Sequence, residues 1–194
     1  AQRYMLSVKG IGAGEVNDAI TAGVHLLLAT SNGVCSVPFP RKAIAMAMDR
    51  EYITKEILKG GEIPAYGFVP EGINGYTNPA KFSWKDMPRE QRLAEAKTLL
   101  EQAGYGPNKP LSFEYLFRAS GNNPRIAPVL QDNWKEIAPW VDAQIRQVET
   151  KDLYKQLQQK DFTLSDAGWV ADYDDPYNFL YLLDSRTGPM NYGG

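Results

Sequence analysis

The 194-residue sequence predicts an α/β lobe whose mostly parallel mixed sheet is flanked by helices. Two observations carry that expectation. Between residues 111 and 169 the apolar pattern alternates between period two and helical period, in the order strand, helix, strand, helix, strand. Alternation of this kind builds parallel strands joined by right-handed crossovers. The composition, 43% hydrophobic and 23% charged, is that of an ordinary globular domain, and the length suits one domain or at most two small ones.

Taken along the chain, two short helices are expected in series from Arg41. Ala43, Ile44, Ala47 and Met48 form one apolar stripe, and Asp49 is placed to cap a second helix carrying Tyr52, Ile53 and Ile57, which Gly60 and Gly61 end. Proline and glycine punctuation from Ile63 to Lys85 predicts a long irregular loop over the surface. Asp86 and Pro88 then announce a helix from about Arg89 to Ala103. Its Leu93, Ala96, Leu99, Leu100 and Ala103 recur at helical spacing, and Gly104 supplies the stop.

Leu111, Phe113, Tyr115 and Phe117 alternate with Ser112, Glu114 and Leu116, which reads as a strand with one well-buried face. Asn122, Asn123 and Pro124 open a helix whose apolar side holds Ile126, Val129, Leu130, Trp134 and Ile137, and Pro139 closes it. Gln144 to Glu149 reads as a strand and Thr150 as the cap of a helix bearing Leu153, Tyr154 and Leu157. Phe162 to Trp169 reads as a third strand, and Tyr177 to Leu183 as a final helix. Ligands of such sheets sit beyond the carboxyl ends of the strands, which directs attention to the residues just after Trp169.

Charge and residue counts narrow the function classes. Lys plus Arg total 21 against 23 for Asp plus Glu, so the net charge of -2 supplies no basic field for a phosphate backbone, and no nucleic-acid partner is expected. The longest apolar run, Ala19 to Ala29, is interrupted by Thr21, Gly23 and His25 and falls short of the roughly 20 residues that cross a bilayer. The chain is therefore not expected to span a membrane. No secretory signal pattern stands at its start. Cys35 and His25 are the whole Cys/His supply, which rules out an internal disulfide. A zinc site of two such ligands, or a Cys/His catalytic pair, would need these two to meet. No metal and no cofactor is expected.

The most unusual stretch is Gly168-Trp169-Val170-Ala171-Asp172-Tyr173-Asp174-Asp175-Pro176, with three acids within four positions beside a Trp, a Tyr and a glycine. One reading is a solvated acidic turn, in which Asp175-Pro176 initiates the turn and an acid caps the next helix. The other is a ligand site. A carboxylate in a partly desolvated cleft makes a charge-assisted hydrogen bond to an ammonium group, while the free main chain of the strand pairs with an extended peptide.

Four stretches in order resemble a known family. Gly168 to Pro176 with Tyr177-Asn178-Phe179-Leu180 is similar to the Gly-Trp-x-Ala-Asp-Tyr-x-x-Pro signature of oligopeptide-binding proteins, within the large bacterial solute-binding receptors for peptides, nickel and related ligands. Arg41 to Arg50 looks like that family's Arg-x-Ala helix ending in Asp-Arg. Pro64 to Pro70 looks like the loop after it, and Glu95-Ala96-Lys97 through Ala103-Gly104-Tyr105 like its Glu-Ala-Lys helix.

The resemblance runs from about Ser31 to Asn191. It implies one lobe of a two-lobed, periplasmic-binding-protein-like fold, with residues 31–194 as an incomplete peptide-binding lobe and residues 1–30 poorly matched. It implies a monomeric receptor in the periplasm, or anchored at the outer face of the cytoplasmic membrane, that delivers peptides to the membrane permease of an ABC importer. By the same resemblance Asp172 receives the α-ammonium group of the peptide. Gly168, Trp169, Val170 and Ala171 supply the strand beside it, and Trp169 and Tyr173 stand around the pocket, where core packing is the other reading for each ring. Asp166, two positions before Gly168, departs from the basic residue that some members carry.

Two further readings remain open. A hydrolase or a magnesium site could use Asp172, Asp174 and Asp175, although acids on one turn form a single anionic patch and do not face one another across a substrate. A receptor of the same family could take nickel, haem or a sugar, ligands that do not require an ammonium-binding acid beside a free strand.

Overall fold

The computed structural model describes residues 3–8, 23–29, 38–73, 75–184 and 186, with side chains from Phe39 onward; Cys35 lies outside them. Five strands form one sheet in the order β1-β2-β5-β3-β4. They are β1 (Arg3–Val8), β2 (Gly23–Ala29), β3 (Leu111–Arg118), β4 (Val141–Val148) and β5 (Leu164–Val170). β3 runs parallel to β4 and β5, whereas β2 is antiparallel to both β1 and β5. Only β2 is reversed, so the sheet is mixed and mostly parallel as expected. β1 and β2 were not expected, and they extend the sheet by two strands beyond β5.

Two apolar clusters lie on the two faces of this sheet. The first joins α1 (Pro38–Ala47), α3 (Arg89–Gln102) and α4 (Asn123–Lys135) to Leu111, Phe113, Tyr115 and Phe117 of β3. Trp134 sits at its centre, edge-on to Phe113 and Tyr115, and its indole N–H donates to the Ile44 carbonyl at 3.1 Å, which satisfies the one polar atom that burial would otherwise strand. The second cluster gathers Leu153 and Leu157 of α5 (Thr150–Gln159) with Phe162, Ala167, Ala171, Phe179 and Leu116. β3 is therefore buried on both faces at Leu116, where one buried face was expected.

The helix over residues 89–102 follows its predicted stripe: Ala96, Leu99 and Leu100 are buried and Leu93 packs partly against the first cluster. The second helix of the first pair starts as α2 (Arg50–Tyr52) under the Asp49 cap, which accepts from the Tyr52 N–H at 3.0 Å. It then widens into a π-helical segment, Ile53–Leu58, and Lys59, not Gly60, takes the left-handed closing position at φ 57°. Thr150 is the first residue of α5 and not its cap. Glu149 holds the cap position, and the Thr150 hydroxyl lies 3.2 Å from that of Ser120.

The irregular segment from Ile63 to Lys85 is more deeply anchored than a surface loop. Tyr66 and Trp84 are buried, and the Arg50 guanidinium lies 5.1 Å and 5.2 Å from their ring centres. Gly67 allows the chain to pass close to itself, because a Cβ there would collide with the Ala80 carbonyl oxygen.

Candidate functional site

β5 organises the carboxyl end of the sheet. β2 pairs with it along its whole length, from Ala29↔Leu164 to Gly23↔Val170, but β3 pairs with it only at Tyr115↔Leu164 and Leu116↔Ser165. Beyond Ser165 the strands part, and among the described residues no strand pairs with Ala167–Val170 on the β3 side. The free main chain expected here therefore belongs to a fork inside the sheet, since the outer strands are β1 and β4.

The base of the fork is closed by a buried ion pair. Asp166 is 2% exposed, and its two carboxylate oxygens accept from the Arg118 backbone N–H at 3.0 Å and from Arg118 Nε at 2.9 Å. The carboxylate replaces the ladder bond that the parting strands no longer make. Burial pushes the Asp166 carboxyl above its ordinary range, and the Arg118 charge and hydrogen bonds oppose that shift. Burial, reinforced by the Asp166 charge, raises the neighbouring Tyr115 phenol as well.

At the open end of the fork the chain turns away from the sheet. Gly168 is half-buried in β5, Val170 is 54% exposed, Ala171 is buried in the second cluster, and Asp172 is exposed on the adjoining turn. Asp172 makes no hydrogen bond or ion pair with any described residue. Asp175 behaves differently: its side chain accepts from the Tyr177 N–H at 2.7 Å, an Asx turn just ahead of the final helix, whose cap position Pro176 holds without a side-chain bond, so the turn interpretation and not the cap describes that acid. Among the described residues no group of three His, Cys, Asp or Glu side chains is placed to hold a metal ion.

The two aromatic rings divide. Trp169 packs on the second cluster and lies edge-on to Tyr181 at 5.4 Å, whereas Tyr173 is 48% exposed beside Asp172. Trp169 Nε1 donates to Asn178 Oδ1 at 3.0 Å, and Asn178 Nδ2 donates to the Tyr173 carbonyl at 3.1 Å. The fully buried Asn178, in α6 (Tyr177–Leu180), thus ties the end of β5 to the turn bearing Asp172. Sequence reasoning missed it, although a lone amide between Tyr177 and Phe179 in a short apolar helix is the kind of signal that marks a buried polar brace. The Arg118–Asp166 pair was missed as well, because the two residues belong to different strands.

This geometry has counterparts among known proteins. Residues 7–191 match the middle region of the bacterial extracellular solute-binding proteins, family 5. Over 145 residues the chain is 38% identical to the periplasmic murein peptide-binding protein MppA of Escherichia coli, covering 75% of this chain and 27% of that protein. It is 33% identical over 149 residues to the probable deoxycholate-binding periplasmic protein YgiS of the same organism, covering 76% of this chain and 27% of that one. The fold superposes on OppA of Burkholderia pseudomallei with a TM-score of 0.84 at 27% identity, covering 98% of this chain and 35% of that structure. The chain thus spans roughly a quarter to a third of the length of these relatives. With a match across almost its whole length and a fork at the carboxyl end of a mixed sheet, this chain belongs to the bacterial extracellular solute-binding proteins, family 5.

Proposed function

We propose that the chain is the peptide-gripping part of an extracytoplasmic receptor that delivers peptides to the membrane permease of an ABC importer. The observation that carries this reading is the run of β5 backbone, Ala167 to Val170, that no described strand pairs on its β3 side, leading to the exposed Asp172, which has no partner among the described residues. An extended peptide adds to such a backbone as a further strand, by main-chain hydrogen bonds that ignore its side chains. Its α-ammonium group then meets the Asp172 carboxylate, in a charge-assisted bond about twice as strong as a neutral one. Gly168 and Ala171 keep the approach to the main chain low, Val170 and Tyr173 offer apolar surface to the ligand, and Trp169 braces the turn from behind.

No bond is made or broken in this scheme. Residues 31–194 supply most of the lobe, with β1 and β2 completing its sheet, and the receptor acts as a monomer in the periplasm or anchored at the outer face of the cytoplasmic membrane. A second reading, a non-peptide ligand, is favoured by the resemblance to the probable deoxycholate-binding protein. A steroid acid carries no ammonium group and has no use for an unpartnered acid beside free strand backbone, which makes peptides the better fit. Native mass spectrometry of the full-length protein, purified without denaturation, tests the choice. A ladder of co-purifying peptides is the expected result. A single non-peptide species, with no peptide bound on later addition, would overturn the reading.

A further inference from the structure

The parting of β3 and β5 is made by side chains and not by the end of a strand. β3 goes on pairing with β4 at Phe117↔Gln147 and Arg118↔Val148, yet its ladder with β5 stops at Leu116↔Ser165. In mid-sheet the backbone groups of successive residues point to the two neighbouring strands in turn. The Ala119 N–H donates to the Val148 carbonyl of β4 at 2.8 Å, so the Arg118 N–H faces β5. In the register of Leu116↔Ser165 its ladder partner would be the Asp166 carbonyl. Both halves of that bond are taken elsewhere. The Arg118 N–H donates to the Asp166 carboxylate at 3.0 Å, and the Asp166 carbonyl accepts from the Ser165 hydroxyl, also at 3.0 Å. Ser165 is fully buried and Asp166 nearly so, and the two substitute bonds satisfy groups that would be costly to leave unpaired there.

We propose that Asp166 and Ser165 are positioning residues that end the β3–β5 ladder and so hold the Gly168 and Val170 backbone open for the ligand. The proposal rests on the peptide-binding reading of β5. By the same alternation the backbone groups of Gly168 and Val170 face β3, whereas those of Ala167 and Trp169 face β2. Were the ladder to continue, its next bond would join the Gly168 N–H to the Arg118 carbonyl, and β3 would take the edge that a peptide strand needs. A ladder within one chain forms without the translational and rotational cost of association, so a free peptide competes poorly with it. Arg118 Nε, 2.9 Å from the second Asp166 oxygen, keeps the carboxylate in its substitute place. These side chains therefore act on affinity without touching the peptide.

Two double variants of the full-length protein test this, and both remove the two charges of the pair. Arg118→Leu/Asp166→Val removes the side-chain acceptor and leaves the N–H of position 118 to the backbone carbonyl. Arg118→Gln/Asp166→Asn keeps an amide oxygen in the acceptor's place. Apolar residues of similar size commonly replace a buried ion pair without loss of folding, which thermal unfolding checks. Hydrogen exchange of residues 166–170 in the unliganded proteins is read by mass spectrometry, and binding of tri- to pentaalanine by calorimetry. In the apolar variant exchange should slow at least tenfold and the peptides should bind at least tenfold more weakly. The amide variant should return toward the unaltered protein in both readings. A merely destabilised lobe would exchange faster, not slower. Should the apolar variant not fold, Ser165→Ala, which frees the Asp166 carbonyl alone, carries the test, with slower exchange and weaker binding expected in smaller measure. Unchanged or faster exchange in the variant that folds would overturn the role of Asp166 and Ser165, while the peptide reading stands as long as the unaltered protein binds these peptides. Slower exchange with undiminished affinity would overturn the place of the peptide on β5, and the proposal with it. Absence of binding to the unaltered protein by every one of these peptides would overturn the peptide reading itself.

Discussion

Trp169 and Asn178 are joined by a 3.0 Å hydrogen bond from the indole N–H to the amide oxygen, and the same amide reaches the Tyr173 carbonyl on its other side. One buried side chain thereby sets the angle between the end of β5 and the turn carrying Asp172. Asn178→Ala removes both bonds and leaves a carbonyl and an indole N–H under-satisfied, at a cost of about 1–3 kcal/mol of stability. The Trp169 Nε1–H resonance should shift toward its unbonded position. The affinity difference between free and N-acetylated peptides should narrow, because Asp172 loses its placement. An unchanged indole resonance would show that the bond is not maintained in solution.

Asp172→Asn replaces a charge-assisted contact by a neutral one of nearly the same shape. Hydrogen bonds to charged groups contribute about 1.5–3 kcal/mol, and 1.4 kcal/mol is already a factor of ten. Affinity for peptides with a free ammonium should fall more than tenfold in calorimetry on the full-length protein. N-acetylated peptides, which have lost the charge already, should respond little to the substitution. Undiminished affinity for free peptides would remove Asp172 from the site.

Arg118→Met breaks the buried pair from the other side. Removing one partner of such a pair costs about 3–5 kcal/mol near neutral pH, because an uncompensated carboxylate remains inside. Burial already raises the Asp166 carboxyl above its ordinary 3.8, and losing the Arg118 charge raises it further. Between the ordinary value and the raised one the folded chain holds more protons than the unfolded chain, so stability falls as pH rises through that window. The deficit of Arg118→Met against the unaltered protein in urea unfolding should therefore be smallest near pH 4 and grow toward neutrality. A pH-independent deficit would mean that Asp166 finds another partner.

Leu99 faces the first cluster from α3 and is 8% exposed. Leu99→Ala should cost ~2–5 kcal/mol, the transfer energy of the lost atoms plus that of the cavity left behind. It should leave peptide affinity unaltered, since α3 packs on α1 and not on the fork. A change in unfolding free energy below about 0.5 kcal/mol would contradict the packing of this helix face.

What the sequence determined by itself was local in character. The 3.6-residue stripe of Leu93, Ala96, Leu99 and Leu100, the period-two run from Leu111 to Phe117 and the Asp49 cap all depend on neighbours within one or two turns of chain, and they stand as read. The Gly168 to Pro176 stretch stands out for the same reason, as an unusual local density of acids and aromatics. Tertiary structure decided how those residues are used. Asp166 and Asp172 are indistinguishable as letters, yet the fold buries Asp166 against Arg118 and leaves Asp172 exposed, with no hydrogen bond or ion pair to any described residue. β5 reads as a strand, but its place between β2 and a diverging β3 comes from contacts between distant segments, as does the Arg118–Asp166 bond, which spans 48 residues. Periodicity reports which face of an element is apolar. Which backbone it pairs with, and which buried charge finds a partner, is settled only when the core closes and every desolvated polar group must be satisfied.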